Sequence, residues 1–413
     1  DLHKAIRRQR QMCIRDSSSD SYDVAEFAAE PRKKTDEEGN RGVYYEIFVR
    51  SFADSDGDGI GDLNGVTEKL DYLQKLGIDG IWLMPITASD TYHGYSVTDY
   101  VMVNPDYGTE DDLKRLLDEA HSRDMKVIMD LVINHTSINH PWFQAAKSDE
   151  NSEYRDYYRW VYKTDKKDCN HLLDKSSWGD MVWHQEGDFY YYGVFGADMP
   201  DLNYNNPDVR QAAKDAAGHW LELGLDGFRM DAAVHIYGAH EFKQQEDSET
   251  ANITWWNEFA GYCESINPDV YLVGEVWQDD KVLENYVQPF DTKFDFAIQQ
   301  KILNCVQKGM AVPGFGDSLS VAIENIQNKY DGVDANYLNG IFGANHDQDR
   351  IASSVNSLDK ARQIAAVYMT LPGNPYIYYG EELGMYGSKP DEMIRTPFLW
   401  GSDSTYNLSL IHI

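Results

Sequence analysis

Two acidic patterns along the 413 residues invite a chemical reading. The first is compact: Asp54-Ser-Asp-Gly-Asp-Gly-Ile-Gly-Asp62. Carboxylates at alternating positions, with glycines turning the backbone between them, can converge on one hard cation. Four clustered negative charges repel one another unless a cation binds. Asp54, Asp56, Asp58 and Asp62, with the Ile60 carbonyl, are therefore expected to hold Ca²⁺. The spacing starts like an EF-hand loop, but Gly65 stands where that loop needs its glutamate, and an acidic surface turn is the plainer alternative. The second pattern is dispersed. Asp130 and His135, Arg229 and Asp231, Glu275, then His346, Asp347 and Arg350 each follow or end a β-type run. A lone Asp after a strand is more often a helix cap than a catalyst. Three carboxylates brought into one pocket can divide the work of nucleophile and proton carrier. Arg229 lies two positions before Asp231, so in an extended strand both side chains point to the same side. A cation there keeps Asp231 ionised and oriented for attack on carbon.

The elements that must gather these groups are legible as alternation. Short β-branched or aromatic runs at 43–48, 80–84, 126–131, 227–230, 270–273, 294–296, 341–344 and 376–379 are predicted strands. Val66, Leu70, Leu73 and Leu76 recur at helical spacing between the first two, as do Leu113, Leu116, Leu117 and Ala120 before the third. Such an α/β order fits a (β/α)8 barrel or a doubly wound sheet. Polar residues at the carboxyl ends of several different strands favour the barrel, where active sites lie on that face. From 134 to 203 the rhythm breaks into a stretch crowded with Trp, Tyr, His and Asp, which reads as a small domain inserted after strand three. The chain is thus divided into a foreign or disordered segment (1–41), the first part of the barrel (42–133), the insertion (134–203) and the rest of the barrel (204–413). Met12 to Ser17 and Ser409 to Ile413 resemble translated adapter sequence, and the barrel is expected to stop short of a further C-terminal domain.

Composition narrows the partners. Lys plus Arg number 37 against 69 acidic residues, a formal charge of -32, which repels nucleic acid and anionic membranes. There is no apolar run long enough to span a membrane. Cys13, Cys169, Cys263 and Cys305 are scattered, without the spacing of a metal site or disulfide framework. Ten Trp and 28 Tyr supply flat faces that suit sugar rings.

At this point a resemblance becomes specific. Asp130-Leu-Val-Ile-Asn-His135, Gly227-Phe-Arg-Met-Asp-Ala-Ala-Val-His235, Gly274-Glu-Val-Trp277 and Asn345-His-Asp-Gln-Asp-Arg350 resemble, in order and spacing, the four signature regions of the α-amylase family of glycoside hydrolases (family 13). Gly80-Ile-Trp-Leu-Met-Pro85, Met199-Pro-Asp-Leu-Asn203 and the run from Gly373 to Glu382 extend the likeness over about 42–400. The resemblance implies that Asp231 is the nucleophile, Glu275 the acid/base and Asp347 the stabiliser of the transition state. It implies that Arg229 pairs with the nucleophile, that His93, His135 and His346 contact the sugar at the cut, and that Tyr95 lies beneath it. Asp130 and Arg350 become structural supports, and the insertion corresponds to the family's domain B. A second calcium site would use Asn134, Asp201 and the His235 carbonyl. Val234 stands where amylases commonly carry a sugar-binding Lys. The Asp54–Asp62 loop resembles the oligo-1,6-glucosidase branch and the 199–203 motif the neopullulanase-like one, so an intermediate member is expected. Exo-acting glucosidases carry an aspartate at the position of Tyr92. Its replacement favours an open cleft and internal cleavage of α-1,4 bonds in starch, glycogen or maltooligosaccharides. A glucosidase, a neopullulanase-like hydrolase or a transferase such as trehalose synthase is the alternative. The resemblance further implies a monomer acting outside the cell or at its envelope.

Overall fold

The structure, a computed structural model, describes residues 40–163, 172–238, 248–278, 280–308, 318–335 and 337–400. The terminal segments expected to be foreign therefore lie outside the described residues, apart from Asn40 and Arg41. Within them the strands are β1 (Tyr44–Ile47), β2 (Gly80–Leu83), β3 (Thr87–Ser89), β4 (Val97–Val103), β5 (Lys126–Leu131), β6 (Trp160–Tyr162), β7 (Trp183–Glu186), β8 (Phe189–Tyr192), β9 (Gly227–Met230), β10 (Tyr271–Gly274), β11 (Thr292–Lys293), β12 (Gly340–Phe342) and β13 (Asn374–Tyr378).

Eight of these form one parallel sheet in the order β11-β10-β9-β5-β2-β1-β13-β12. A parallel bridge between Phe294 and Gly340 joins its two outer strands. The sheet is thus a (β/α)8 barrel. β1, β2, β9 and β10 are buried at every residue, because one face lines the barrel and the other meets the helices. Tyr44, Trp82, Ile128, Tyr271, Val273, Phe294, Phe342 and Tyr376 belong to a compact cluster separate from the larger core that includes the helices.

The surrounding helices begin and end where side chains satisfy their free backbone groups. Thr109 and Asp112 make a reciprocal capping box for Glu110–His121, whose Leu113, Leu116, Leu117 and Ala120 are buried. Asn206 caps Pro207–Leu223, which closes at Gly224 in the left-handed conformation. The expected stripe Val66, Leu70, Leu73 and Leu76 is divided between the helices Leu63–Glu68 and Leu70–Leu76. Leu76 is 38% exposed and does not join the core.

Strand six is displaced from the predicted 294–296. Pairing runs through Thr292–Lys293, and the helix Phe296–Lys308 has already begun where an aromatic run suggested a strand. The cause is Asp295, whose carboxylate accepts the Ile298 amide at 2.8 Å and turns the chain into the helix. Two further features position the site. An antiparallel pair, β3 and β4, follows β2, and the intervening turn holds Tyr92, His93 and Tyr95. After β5 the chain leaves the barrel, forms the helix Pro141–Ser148 and the antiparallel sheet β6-β8-β7, and returns at Pro207–Leu223. That sheet packs its own cluster of Val182, Trp183, Tyr192 and Val194.

Candidate active site

Arg229 is the centre of the carboxyl-end face. Its register partner across β5–β9 is Asp130, and their side chains meet inside the barrel, with Nη1 donating to Asp130 Oδ1 at 2.5 Å. The same nitrogen donates to Asp231 Oδ1 at 2.6 Å, and Nη2 lies 2.8 Å from Glu275 Oε1. Arg229 is fully buried, whereas the Asp231 and Glu275 side chains keep 11% and 13% of their exposure. One desolvated guanidinium thus contacts a fully buried carboxylate, Asp130, and two partly exposed ones, Asp231 and Glu275. Asp231 follows β9 directly and Glu275 follows β10. Ala232 between them is in the left-handed backbone region, φ 50°, uncommon for a residue with a side chain. Its amide donates to Glu275 Oε2 at 3.0 Å. The unusual turn after Asp231 is therefore what reaches the neighbouring carboxylate.

Protonation differs among these acids. Burial pushes the Glu275 carboxyl up to about 7, opposed by Arg229 and aided by the charges of Asp231 and Asp347. Burial likewise lifts Asp130 up to about 6 against the pull of Arg229. For Asp347 burial acts upward too, but His346 and Arg395 outweigh it and hold the carboxyl well below the usual range. The Asp347 side chain is 33% exposed, so solvent screens part of that attraction.

A second wall faces this trio. His346 is fully buried; its Nδ1 bonds Glu46 Oε1 at 2.5 Å, and its Nε2 lies 2.6 Å from the Tyr95 hydroxyl and 3.1 Å from Asp347 Oδ2. Burial works against the charged ring, but Asp347 and Glu46 more than compensate and raise it to about 10. His346 is therefore an imidazolium at neutral pH, donating from both nitrogens. The Tyr95 hydroxyl also reaches Asp130 Oδ2 at 3.3 Å, and Trp82 Nε1 donates to the same oxygen at 3.1 Å. Tyr95 stacks on His346 at 5.6 Å and on His93 at 5.9 Å. His135 Nε2 is 3.1 Å from the Tyr95 carbonyl, and burial lowers its basicity, which keeps the ring neutral. Tyr92 sits in the same turn and packs edge-on against Phe48. Arg350 lies outside the pocket, where Nη1 donates to the Tyr379 carbonyl at 2.7 Å and Nε to the Ile394 carbonyl at 2.8 Å, tying β13 to the segment that carries Arg395.

Three residues of this arrangement had no assigned role in the sequence reading. Glu46 is a buried acid in the middle of β1, and a single charge inside an apolar run was its available signal. Trp82 was visible only as part of a motif. Arg395, whose Nη2 donates to Asp347 Oδ1 at 2.9 Å and whose Nε donates to the His346 carbonyl at 2.9 Å, lies in a loop with no local pattern.

The acidic loop has carboxylate oxygens of Asp54, Asp56 and Asp58 within 4.8 Å of one another, so it can coordinate a metal ion. Asp54 accepts the Gly57 and Gly59 amides at 2.6 and 2.9 Å, while Asp56 and Asp58 accept those of Asp58 and Ile60 at 3.1 and 2.7 Å. Carboxylate oxygens that accept one amide keep a further lone pair, so these three acids still offer hard donors to a cation. Asp62 is used differently: it accepts the Ser55 amide and hydroxyl, both at 2.8 Å, and caps Leu63–Glu68 through the Gly65 amide at 2.7 Å. At the junction with the insertion, Asn134 bonds Leu202 through its carbonyl and Asp201 accepts the Val194 amide. The Asp201 charge also offsets the burial of the Arg159 guanidinium, and the His235 carbonyl accepts the Gly238 amide at 2.9 Å. The Asn134 side-chain oxygen is buried and takes no hydrogen bond, and the second cation site stays an expectation.

The chain is similar to known proteins over most of its length. Residues 46–406 match the family model described as alpha amylase, catalytic domain. "Alpha-amylase 3" of Dictyoglomus thermophilum is 46% identical over 364 residues, covering 87% of this chain and 68% of that protein. A "4-alpha-glucanotransferase" of Thermotoga neapolitana is 36% identical over 368 residues, covering 87% and 76%. The crystal structure of an α-amylase from H. orenii superposes with a TM-score of 0.79 at 46% identity, covering 89% of this chain and 74% of that one.

Proposed function

We propose, from the premise that this chain belongs to the α-amylase family of glycoside hydrolases and acts on α-glucosidic bonds, that it hydrolyses internal α-1,4 bonds of glucans with retention of configuration. The observation that carries the chemistry is the division of labour around Arg229: two carboxyl groups touch one guanidinium, yet Glu275 is held up to about 7. A protonated Glu275 donates to the departing glycosidic oxygen. Asp231, fixed by Arg229, attacks the anomeric carbon and forms a glycosyl ester. Glu275, now ionised, takes a proton from water as the water oxygen displaces the Asp231 carboxylate. Asp347 and the His346 imidazolium meet ring hydroxyls on the opposite wall, where binding that tightens as the ring flattens lowers the barrier. Calcium is the ion proposed for Asp54, Asp56 and Asp58; when bound it would neutralise the loop that leads from the barrel's first strand into Leu63–Glu68.

Internal attack is supported by Tyr92. An aromatic ring in the turn beside His93 and Tyr95 cannot accept the hydroxyls of a terminal glucose, but it can lie against a glucan that continues. Brief digestion of reduced, end-labelled maltoheptaose tests the reading. Early maltose and maltotriose released as the α-anomers, with falling viscosity of soluble starch, are expected. Glucose removed singly from the non-reducing end would overturn it.

A further inference from the structure

Glu46 stands in β1 with 1% of its surface exposed. It lies two residues after Tyr44, which shares a buried cluster with Trp82, so in an extended strand both side chains point to the same side. Its register partners are Trp82 on β2 and Tyr378 on β13. At that depth it is out of reach of solvent, and the group it meets is His346, whose Nδ1 lies 2.5 Å from Oε1.

The other nitrogen of that ring faces a second acid. Nε2 is 3.1 Å from Asp347 Oδ2 and 2.6 Å from the Tyr95 hydroxyl. Carboxylate oxygens only accept, so a ring between two of them is satisfied at both ends only when both nitrogens carry a proton. In that state Nε2 donates, the Tyr95 oxygen accepts, and the Tyr95 proton goes to Asp130 Oδ2 at 3.3 Å. Asp130 in turn holds Arg229, which holds Asp231. Loss of the Nε2 proton reverses these orientations. The bare nitrogen takes the Tyr95 proton, Asp130 loses a donor, and Asp347 Oδ2 faces a lone pair that repels it. One proton therefore orders the whole wall.

The charges that retain it come from several elements. Burial opposes the charged ring, while Asp347 on the same loop and Glu46 on β1 favour it and lift it to about 10. Asp130 on β5 also attracts the ring. Arg395, whose Nε donates to the His346 carbonyl, and Arg229, which attracts Asp347, work against it. Trp82, edge-on at 5.7 Å, and Tyr95, stacked at 5.6 Å, bring no charge. Of the two acids in contact, Asp347 is 33% exposed and screened by solvent, whereas Glu46 is sealed against the ring.

Resting on the α-glucosidic reading above, we infer that Glu46 is a positioning residue that acts through the His346 ring: it holds the Nε2 proton, and so keeps Asp347 and Tyr95 in their working orientation, further into alkaline solution than Asp347 does alone. It touches no sugar, and its effect is on the direction of hydrogen bonds that do.

α-Maltosyl fluoride is the substrate for the test, because fluoride leaves without a proton from Glu275 and the limb at about 7 drops out of kcat/KM. In the parent, kcat/KM for fluoride release should hold to about pH 9 and fall above it. Glu46→Gln keeps an acceptor of the same size without the charge, and its fall should begin at least about one pH unit lower. Glu46→Asp keeps the charge and should stay closer to the parent than Glu46→Gln does. A residue that merely fills space gives the reverse order, since Gln preserves the shape and Asp does not. Melting temperature checks that each variant is folded. Independently of activity, NMR of protein labelled at its histidine nitrogens, with His346 assigned from its loss in His346→Asn, should show both ring nitrogens protonated in the parent at about pH 8. A neutral ring in the parent at that pH overturns the proposal without any variant. Equal alkaline limits in the parent and a folded Glu46→Gln variant also overturn it. Absence of fluoride release from the parent would instead overturn the α-glucosidic reading, while the NMR titration still tests the proton.

Discussion

Glu275 shares one guanidinium with Asp231, and its own raised protonation is the testable feature at the scale of single residues. Because burial and two neighbouring charges push Glu275 up to about 7, the proton donor is loaded below that pH and emptied above it. We expect kcat/KM to be level on the acid side of about 7 and to fall about tenfold per pH unit above it. Glu275→Gln should lower kcat by at least about a hundredfold on starch and remove that limb. A pH–rate series on both proteins checks this, and an unmoved limb in the variant would assign it to another group. The sign for stability is the same: a carboxyl held above its ordinary value contributes stability at low pH, which is lost as pH rises through about 7. Much at this scale was readable beforehand. The two-residue step from Arg229 to Asp231 in a strand allows only one relative direction, and the structure has both on one side. Glu46 and Arg395 were not assigned, because their roles arise from contacts with His346 and Asp347 some 300 and 48 residues away in sequence, and no local spacing encodes such contacts.

The acidic loop is an element with its own energetics. Gly57 and Gly59 at φ 84° and 96° let the backbone curl so that their two amides, one residue apart, point at Asp54. Those amide bonds organise the carboxylates and leave their mutual repulsion to a cation. Calcium in excess should therefore raise the melting temperature, since a ligand bound only by the native state at about 100 times its Kd stabilises by about 2.7 kcal/mol. Chelator should reverse the shift, and Asp56→Ala with Asp58→Ala should abolish most of it. A shift of equal size in the double variant would place the ion elsewhere. Asp62 shows why sequence reading over-assigned this loop: a carboxylate at an alternating position is equally good as a helix cap, and the helix that begins at Leu63 decides between the two uses. Strand six was placed two residues late for a related reason, since the aromatics Phe294 and Phe296 suit a strand and Asp295 between them begins a helix.

At the scale of the molecule, alternation of eight runs with helical stripes was enough to read a barrel, because closure needs only that each strand meet its sequence neighbour. The pair β3–β4 escaped notice, as its strands are short, irregular and mixed in burial. Closure itself is uneven. β1–β2, β2–β5, β5–β9 and β9–β10 each align four residues in register, whereas β11 and β12 are joined by the lone Phe294–Gly340 bridge. A ring with one thin joint opens there first. Amide hydrogens near Thr292 and Gly340 should exchange with deuterated solvent well before those of β5 and β9, which mass spectrometry of peptic fragments can follow. The thin joint lies across the ring from β5 and β2, so the cylinder can breathe at one seam while Asp130, Arg229 and Asp231 stay in place.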